Sequence, residues 1–190
     1  MLESYRVILA SNSPRRKELL AGVGISFEVM TIPGIDESFP DTLKGGDIPL
    51  FLARKKSDAY QDILRDNVLV ITADTIVWQD GKVLGKPKDR REAVEMIAEL
   101  SGRSHTVYTG VCVRSATKEE AFYTESKVFF DELTADEIEY YVDNFKPYDK
   151  AGAYGIQEWI GYIAVKKIEG SYFNIMGLPI QRLYQVLKQF

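Results

Sequence analysis

Hydrophobic and polar positions change period several times along the chain. Tyr5 to Ala10 (YRVILA) is a short apolar run closed by Ser11-Asn12-Ser13-Pro14, which predicts a strand, a polar loop and then a helix. Ser13 is a good N-cap, Pro14 suits the first helical position, and Gly22 and Gly24 close the helix. Ser26 to Ile32 predicts a second strand. An acidic loop, GIDESFPD (34–41), leads to a longer helix from about Asp47 to Arg65, with Leu50, Ala53, Ser57 and Tyr60 along one stripe. Val68 to Ala73 (VLVITA) is a continuous apolar run of the kind a doubly covered central strand carries, expected to end at Asp74. Ile76 to Trp78 and Lys82 to Leu84 flank Gln79-Asp80-Gly81, a hairpin signal.

In the second half, Asp89 and Glu92 form a capping-box pattern opening a helix in which Ala93, Ile97 and Leu100 share a face, with Gly102 past its end. Thr106 to Ser115 and Phe122 to Glu132 alternate as paired strands joined by the charged turn TKEE. Thr134 and Glu137 cap another helix ending near Phe145, before Lys146-Pro147. Gly161 to Ile168 predicts a further strand, and Leu178 to Gln189 a terminal amphipathic helix. Crossovers of the parallel type coexist with hairpins, so the expected class is α/β with a mixed β-sheet.

Composition adds bounds to this pattern. At 190 residues, 45% of them hydrophobic and 27% charged, the chain has material for a sizeable core in one domain or one compact two-lobed unit. The net charge of −4 leaves no general electrostatic footprint for nucleic acid and no basic face for an anionic membrane. Any anion must therefore be bound locally. The single cysteine, Cys112, excludes an intramolecular disulfide or a zinc thiolate cluster and reads as a buried thiol. No apolar run approaches the ~18 residues of a membrane span, and none near the start resembles a signal core, so a soluble cytoplasmic protein is expected.

Candidate chemistry lies in loops that follow apolar strands, where open α/β sheets usually place ligands. In SNSPRR, two hydroxyls, loop N–H groups and a helix N-terminus make a ready anion site, to which Arg15 and Arg16 add fork-shaped donors; the alternative is an ordinary capped helix with solvated arginines. Two arginines in a first turn oppose the helix dipole and call for a negative partner. Asp74-Thr75 offers a carboxylate suited to holding Mg²⁺ or orienting water, or else a backbone cap. Lys86, in Gly85-Lys86-Pro87, supplies a cation outside any P-loop spacing, and Asp36 and Glu37 are loop acids; solvated roles stand as the alternative for all three. The segment YDKAGAYGIQ (148–157) brings Asp149, Lys150 and Gln157 into a glycine-rich stretch open to a base or phosphate, or into two ordinary turns. His105 is the only histidine, so neither a histidine metal cage nor a Ser-His-Asp triad can be built, and it reads as structural.

Taken together, ASNSPRRKELL, LARKK, ITADTIV, GKPKD, YDKAGAYGIQ and EGSYFNIMGLP, in this order, closely resemble the Maf family of nucleoside triphosphate pyrophosphatases across nearly the whole chain. The resemblance implies a single domain over residues 1–190. It also implies a two-lobed mixed β-sheet flanked by helices around a deep central cleft, of the Maf and inosine triphosphatase type. The implied reaction is hydrolysis of a nucleoside triphosphate between its α and β phosphates, with a divalent cation (magnesium, manganese or cobalt) as cofactor. Carried over by position, Asp74 matches the family's acidic catalytic residue, written there as a proton acceptor. Ser11, Arg15, Arg16, Lys56 and Lys86 match phosphate-binding positions, and Glu37 joins Asp74 as a metal ligand. Arg15, Thr75 and Gln157 match the positions that sort the family by base, and are similar to the branch acting on dTTP and UTP. A Gln amide can donate to and accept from the imide edge of a pyrimidine. Glu158 departs from the glycine more usual after that Gln. The family's association with septum formation keeps a non-catalytic, nucleotide-binding regulator of cell division as the alternative, and the resemblance suggests a homodimer.

Overall fold

The run YRVILA forms β1 (Arg6–Leu9), and the computed structural model describes every residue from there on except Asp66; before it, Met1 and Glu3 are also outside the described residues. Helix α1 (Pro14–Gly22) begins as its sequence predicts, with Pro14 in the first turn and Ser13 Oγ accepting from Arg16 N. The second strand shrinks to β2 (Glu28–Val29), both residues exposed, since little of the run finds a partner beyond Ile8 and Leu9. Helix α2 (Asp47–Asp58) stops short of the expected Arg65, and a single 3₁₀ turn at Gln61–Ile63 follows.

Strand β3 (Val68–Gln79) runs past Asp74 instead of ending there. Thr75, Ile76 and Val77 continue the strand-favouring β-branched sequence, and the carboxylate within it is met by a lysine. β3 turns through Asp80 (φ 51°) and Gly81 (φ 78°) into β4 (Lys82–Leu84), the expected hairpin. Helix α3 (Arg90–Leu100) is capped by Asp89, while Glu92 reaches back to Lys88 N instead of closing a full box on the cap residue. Strands β5 (Ser104–Arg114) and β6 (Glu119–Phe130) pair, and α4 (Ala135–Phe145) has the complete Thr134/Glu137 capping box. The segment expected as a strand from Gly161 divides into helix α5 (Trp159–Ala164) and β7 (Val165–Gly170). Two further helices, α6 (Tyr172–Met176) and α7 (Ile180–Leu187), complete the chain.

The strands hydrogen-bond in the order β2-β1-β3-β5-β6-β7, with β4 on β3; β1 is parallel to both β2 and β3, whereas the hairpin and β7 are antiparallel. The sheet is mixed, as expected. Residues divide into two compact units: the first comprises 1–75, 109–124 and 177–190, the second 76–108 and 125–176.

In the first unit, strand alternation buries both sheet faces. Val7, Leu9, Leu69, Ile71 and Ala73 pack with Leu20 of α1 and Leu183 and Leu187 of α7, while Ile8, Val68 and Val70 pack with Tyr60. Helix α2 approaches β5 so closely that a Cβ on Gly110 would collide with the Pro49 main chain. In the second unit, Ala93, Ile97 and Leu100 are fully buried on one face of α3, opposite α4. Among the described residues no helix is long and apolar enough to cross a membrane.

His105 belongs to the core of the second unit, as its sequence reading anticipates. Its Nε2 lies 2.6 Å from the Tyr154 hydroxyl, its ring meets Phe130 and Tyr154 edge-on, and its Nδ1 finds no hydrogen-bond partner among the described residues. Burial lowers its pKa to about 4. The unfolded chain takes up that proton near pH 6.5, so stability should fall as pH drops from there toward 4, by at most about 3 kcal/mol from this group. Urea denaturation of wild type and His105→Gln at pH 7, 5.5 and 4.5 checks this: the variant should show the shallower loss. Cys112 is buried as expected, and its burial raises the thiol pKa to about 11.

Candidate active site

Parallel β1 and β3 end their shared register at Leu9 and Ile71, and the Ala10 N–H donates to the Ile71 carbonyl. From β1 the chain crosses to β2 on one side, and β3 lies on the other, so the residues just beyond this register occupy a topological switch point. Ser11 to Arg16 follow β1 there, and Ala73, Asp74 and Thr75 continue β3.

Strand alternation assigns these residues to opposite faces. Thr72 and Asp74 face α2, where two cross-links run side by side. The Thr72 hydroxyl donates to the Ala53 carbonyl at 2.7 Å, and Lys56 Nζ, three residues further along the helix, donates to Asp74 Oδ1 at 2.6 Å. Lys56 also pairs with Glu37 Oε1 at 2.9 Å, so one ammonium draws together a carboxylate from a strand and one from the 34–41 loop. The Asp74 and Lys56 side chains are 12% and 17% exposed, whereas Glu37, on the loop, is 60% exposed. The neighbouring pair repeats the motif: Lys55 Nζ holds Asp36 Oδ2 at 2.7 Å and the Ser38 carbonyl at 2.9 Å. Hydrogen bonds from Lys55 and Ser38 keep the Asp36 carboxyl well below the usual carboxylate range.

Thr75 faces the other way, toward Arg16. The Arg16 guanidinium donates to the Gly177 carbonyl (2.8 Å), the Ala73 carbonyl (2.9 Å), Thr75 Oγ1 (3.1 Å) and Ser11 Oγ (3.4 Å). It thereby grips the residues on both sides of Asp74. Burial pushes the Arg16 pKa down; the charge of Asp74 opposes this and that of adjacent Arg15 adds to it. Thr75 Oγ1 also lies 2.9 Å from Thr109 Oγ1. The sequence reading missed the part played by Gly177, although it falls in the EGSYFNIMGLP block; a main-chain acceptor leaves no side-chain signal.

Ser11, Arg16, Glu37, Lys56, Asp74 and Thr75 thus come together in the first unit, to which Arg15 also belongs, while Lys86 and Gln157 lie in the second. Lys86 is exposed just after β4, and the Gly85 carbonyl before it accepts from Gly152 N at 3.0 Å, linking this loop to the 148–157 segment. Gln157 is half-buried at the end of that segment.

The sequence profile of the Maf-like proteins matches residues 6–190. The chain belongs to this family. Among similar members, a dTTP/UTP pyrophosphatase of Bacteroides thetaiotaomicron is 58% identical over 99% of this chain and 97% of its own length. One of Parabacteroides distasonis is 54% identical, over 100% of this chain and 98% of its own length. One of Christiangramia forsetii is 49% identical, over 100% and 96%. Among solved structures, a HAM1 protein from Coxiella burnetii superposes with a TM-score of 0.51 at 13% identity, covering 98% of this chain and 100% of that one. The Staphylococcus aureus Ham1 protein does so at 0.50 and 17%, covering 97% and 98%. At such identities the likeness concerns the fold, which this Maf-like chain shares with them.

The donor set suits a hard divalent cation. Two carboxylates, Asp74 and Glu37, already converge on a single positive centre, the Lys56 ammonium. No described group of three or more His, Cys, Asp or Glu side chains could hold a metal by itself. An ion of the magnesium class fits this sparse set, because it binds through one or two carboxylates and completes its shell with water and substrate phosphates.

Proposed function

We propose that this Maf-like chain hydrolyses dTTP and UTP at the α–β phosphoanhydride, releasing dTMP or UMP and pyrophosphate. The observation that carries the reading is Lys56 bracketed by Asp74 and Glu37 at the switch point, beside the Arg16 clamp. Full-length relatives named dTTP/UTP pyrophosphatase support the choice of base.

In this reading Asp74 orients a water whose oxygen attacks the α-phosphorus as the bond to the bridging oxygen breaks, and it receives or relays the proton released. Held rigid on β3 by Thr72 below and Arg16 above, its carboxylate requires little reorganisation to do so. Ser11, Arg15, Lys56 and Lys86 neutralise the triphosphate and the departing pyrophosphate. Asp74 and Glu37 would hold magnesium, manganese or cobalt, which when bound supplies charge neutralisation at the phosphate oxygens. Arg15, Thr75 and Gln157 serve base selection, Gln157 through its amide. A homodimer belongs to the same reading on the family resemblance alone, and a cytoplasmic location on the sequence pattern.

Product analysis tests it: purified protein with Mg²⁺ or Mn²⁺ and separate dTTP, UTP, CTP, dATP, GTP and 7-methyl-GTP, resolving pyrophosphate from orthophosphate. Pyrophosphate with dTMP and UMP, abolished by EDTA, is the expected result. Retained nucleotide binding without hydrolysis would transfer the weight to a nucleotide-binding regulator.

A further inference from the structure

Glu158 follows Gln157 and stands at the N-terminal boundary of α5, yet its side chain makes no capping bond to that helix. It turns back instead. One carboxylate oxygen accepts a hydrogen bond from the Tyr141 hydroxyl of α4, and the other pairs with Lys150 Nζ at 3.2 Å. The same Tyr141 hydroxyl accepts from Gly155 N at 2.9 Å, and the Glu158 N–H donates to the Gly155 carbonyl at 3.0 Å. Residues 155–158 therefore form a closed turn whose two ends are tied to one phenol, with Gln157 inside it. Tyr141 is fully buried, and burial, followed by the hydrogen bond to Glu158, pushes its pKa up, so it stays a donor. Lys150, buried in turn, also pairs with Asp149 Oδ1 at 2.9 Å, which extends the tie to the start of the loop. Every member of the network lies in the second unit.

The orientation of a glutamine amide carries chemical information. With its oxygen toward a base N3–H and its NH₂ toward a carbonyl, it matches the imide edge of uracil or thymine; rotated by half a turn, it matches the amino and ring-nitrogen edge of cytosine. That half-turn is a rotation about the amide's own side-chain bond, which a held backbone does not fix; what a held turn does fix is how far the amide reaches, and the same N–H and carbonyl pair lies farther from the sugar on guanine than on uracil or thymine. We propose that Glu158 is a positioning residue: through Tyr141 and Lys150 it fixes the 155–158 turn and with it the reach of the Gln157 amide, and it thereby sets preference for the smaller bases of UTP and dTTP over that of GTP. The proposal rests on the reading of Gln157 as the base-contacting residue.

The test compares wild type, Glu158→Ala, Glu158→Gln, Tyr141→Phe and Gln157→Ala. For each, kcat and KM are measured with UTP, dTTP and GTP, along with amide hydrogen exchange over 155–158 and the unfolding midpoint. For Glu158→Ala, KM for UTP should rise about fivefold with kcat changed less than about twofold, and the UTP-over-GTP ratio of kcat/KM should fall about tenfold. Exchange in the turn should accelerate. Glu158→Gln, which keeps an acceptor for Tyr141, should recover most of the ratio, and Tyr141→Phe should lose it as Glu158→Ala does. A Glu158→Ala ratio equal to wild type while Gln157→Ala loses selectivity overturns the proposal and leaves the base site standing. Unchanged ratios in both variants remove Gln157 from the base site, and the proposal falls with it. A uniform loss of kcat across all nucleotides at constant ratio also overturns it, because that is a structural effect without positioning.

Discussion

Asp74→Asn should reduce turnover of dTTP and UTP by about 10³-fold while leaving nucleotide binding within about fivefold, because a positioned carboxylate that orients and deprotonates water contributes on the order of 10²–10⁴ in rate. Asn has the same size and keeps an oxygen to accept from Lys56 Nζ, now 2.6 Å from Asp74 Oδ1. What it lacks is the charge and the basicity. Lys56 retains Glu37 as a counter-charge, so the ammonium is not orphaned and the variant should fold. Steady-state pyrophosphate release and equilibrium nucleotide binding, measured on the same preparation, decide the matter. Turnover near wild type would remove Asp74 from the chemistry and leave it as a structural partner of Lys56.

Local chemistry made much of the fold legible. Ser13-Pro14, the Asp80-Gly81 step and the Thr134/Glu137 box each act within a few residues, and each produced the element its residues imply. Misreadings occurred where distant partners decide. β3 continues through Asp74 because Lys56, eighteen positions earlier in sequence, meets its charge. Residues 161–168 read as one strand, but 161–164 belong to helix α5, where Gly161 approaches the Ile156 carbonyl too closely for any Cβ, and only Val165 onward joins β7. β2 is curtailed for the opposite reason, an adequate strand pattern with too little edge to pair with.

The candidate site was legible as residue types and only partly as geometry. The LARKK, ITADTIV and SNSPRR segments carry the charges, but nothing in them specifies that Thr72 and Asp74 meet Ala53 and Lys56 as parallel cross-links. That pairing follows once α2 lies on β3, since positions two apart on a strand and three apart on a helix keep to one face. Tyr141 had no signal at all: on α4 it is one of several aromatic residues, and only the fold brings its hydroxyl to Gly155 and Glu158. Glu158 was marked only as a departure from the glycine more usual after that Gln in the family the sequence resembles.

Arg16 provides the second large effect. Sequence assigns it to phosphate, whereas its donors meet the Gly177 and Ala73 carbonyls, Thr75 Oγ1 and Ser11 Oγ. Arg16→Met withdraws a donor from the Ala73 carbonyl and leaves the Gly177 carbonyl with only Thr75 Oγ1 at 3.5 Å, and a buried acceptor deprived of its donor costs about 1–3 kcal/mol. In a chain of this size the unfolding midpoint should therefore fall by about 5–15 °C. Turnover should fall with it, because the clamp spans Asp74 from Ala73 to Thr75 and its loss frees the carboxylate to move. Arg16→Lys separates charge from fork: an ammonium restores the positive charge but cannot reach several acceptors in the plane of a guanidinium, so both losses should persist in large part. Thermal unfolding and kcat of the two variants therefore test the clamp together. A lysine variant with a wild-type midpoint and kcat and a raised KM would show that Arg16 acts as a phosphate ligand and that the Asp74 strand holds its shape without it.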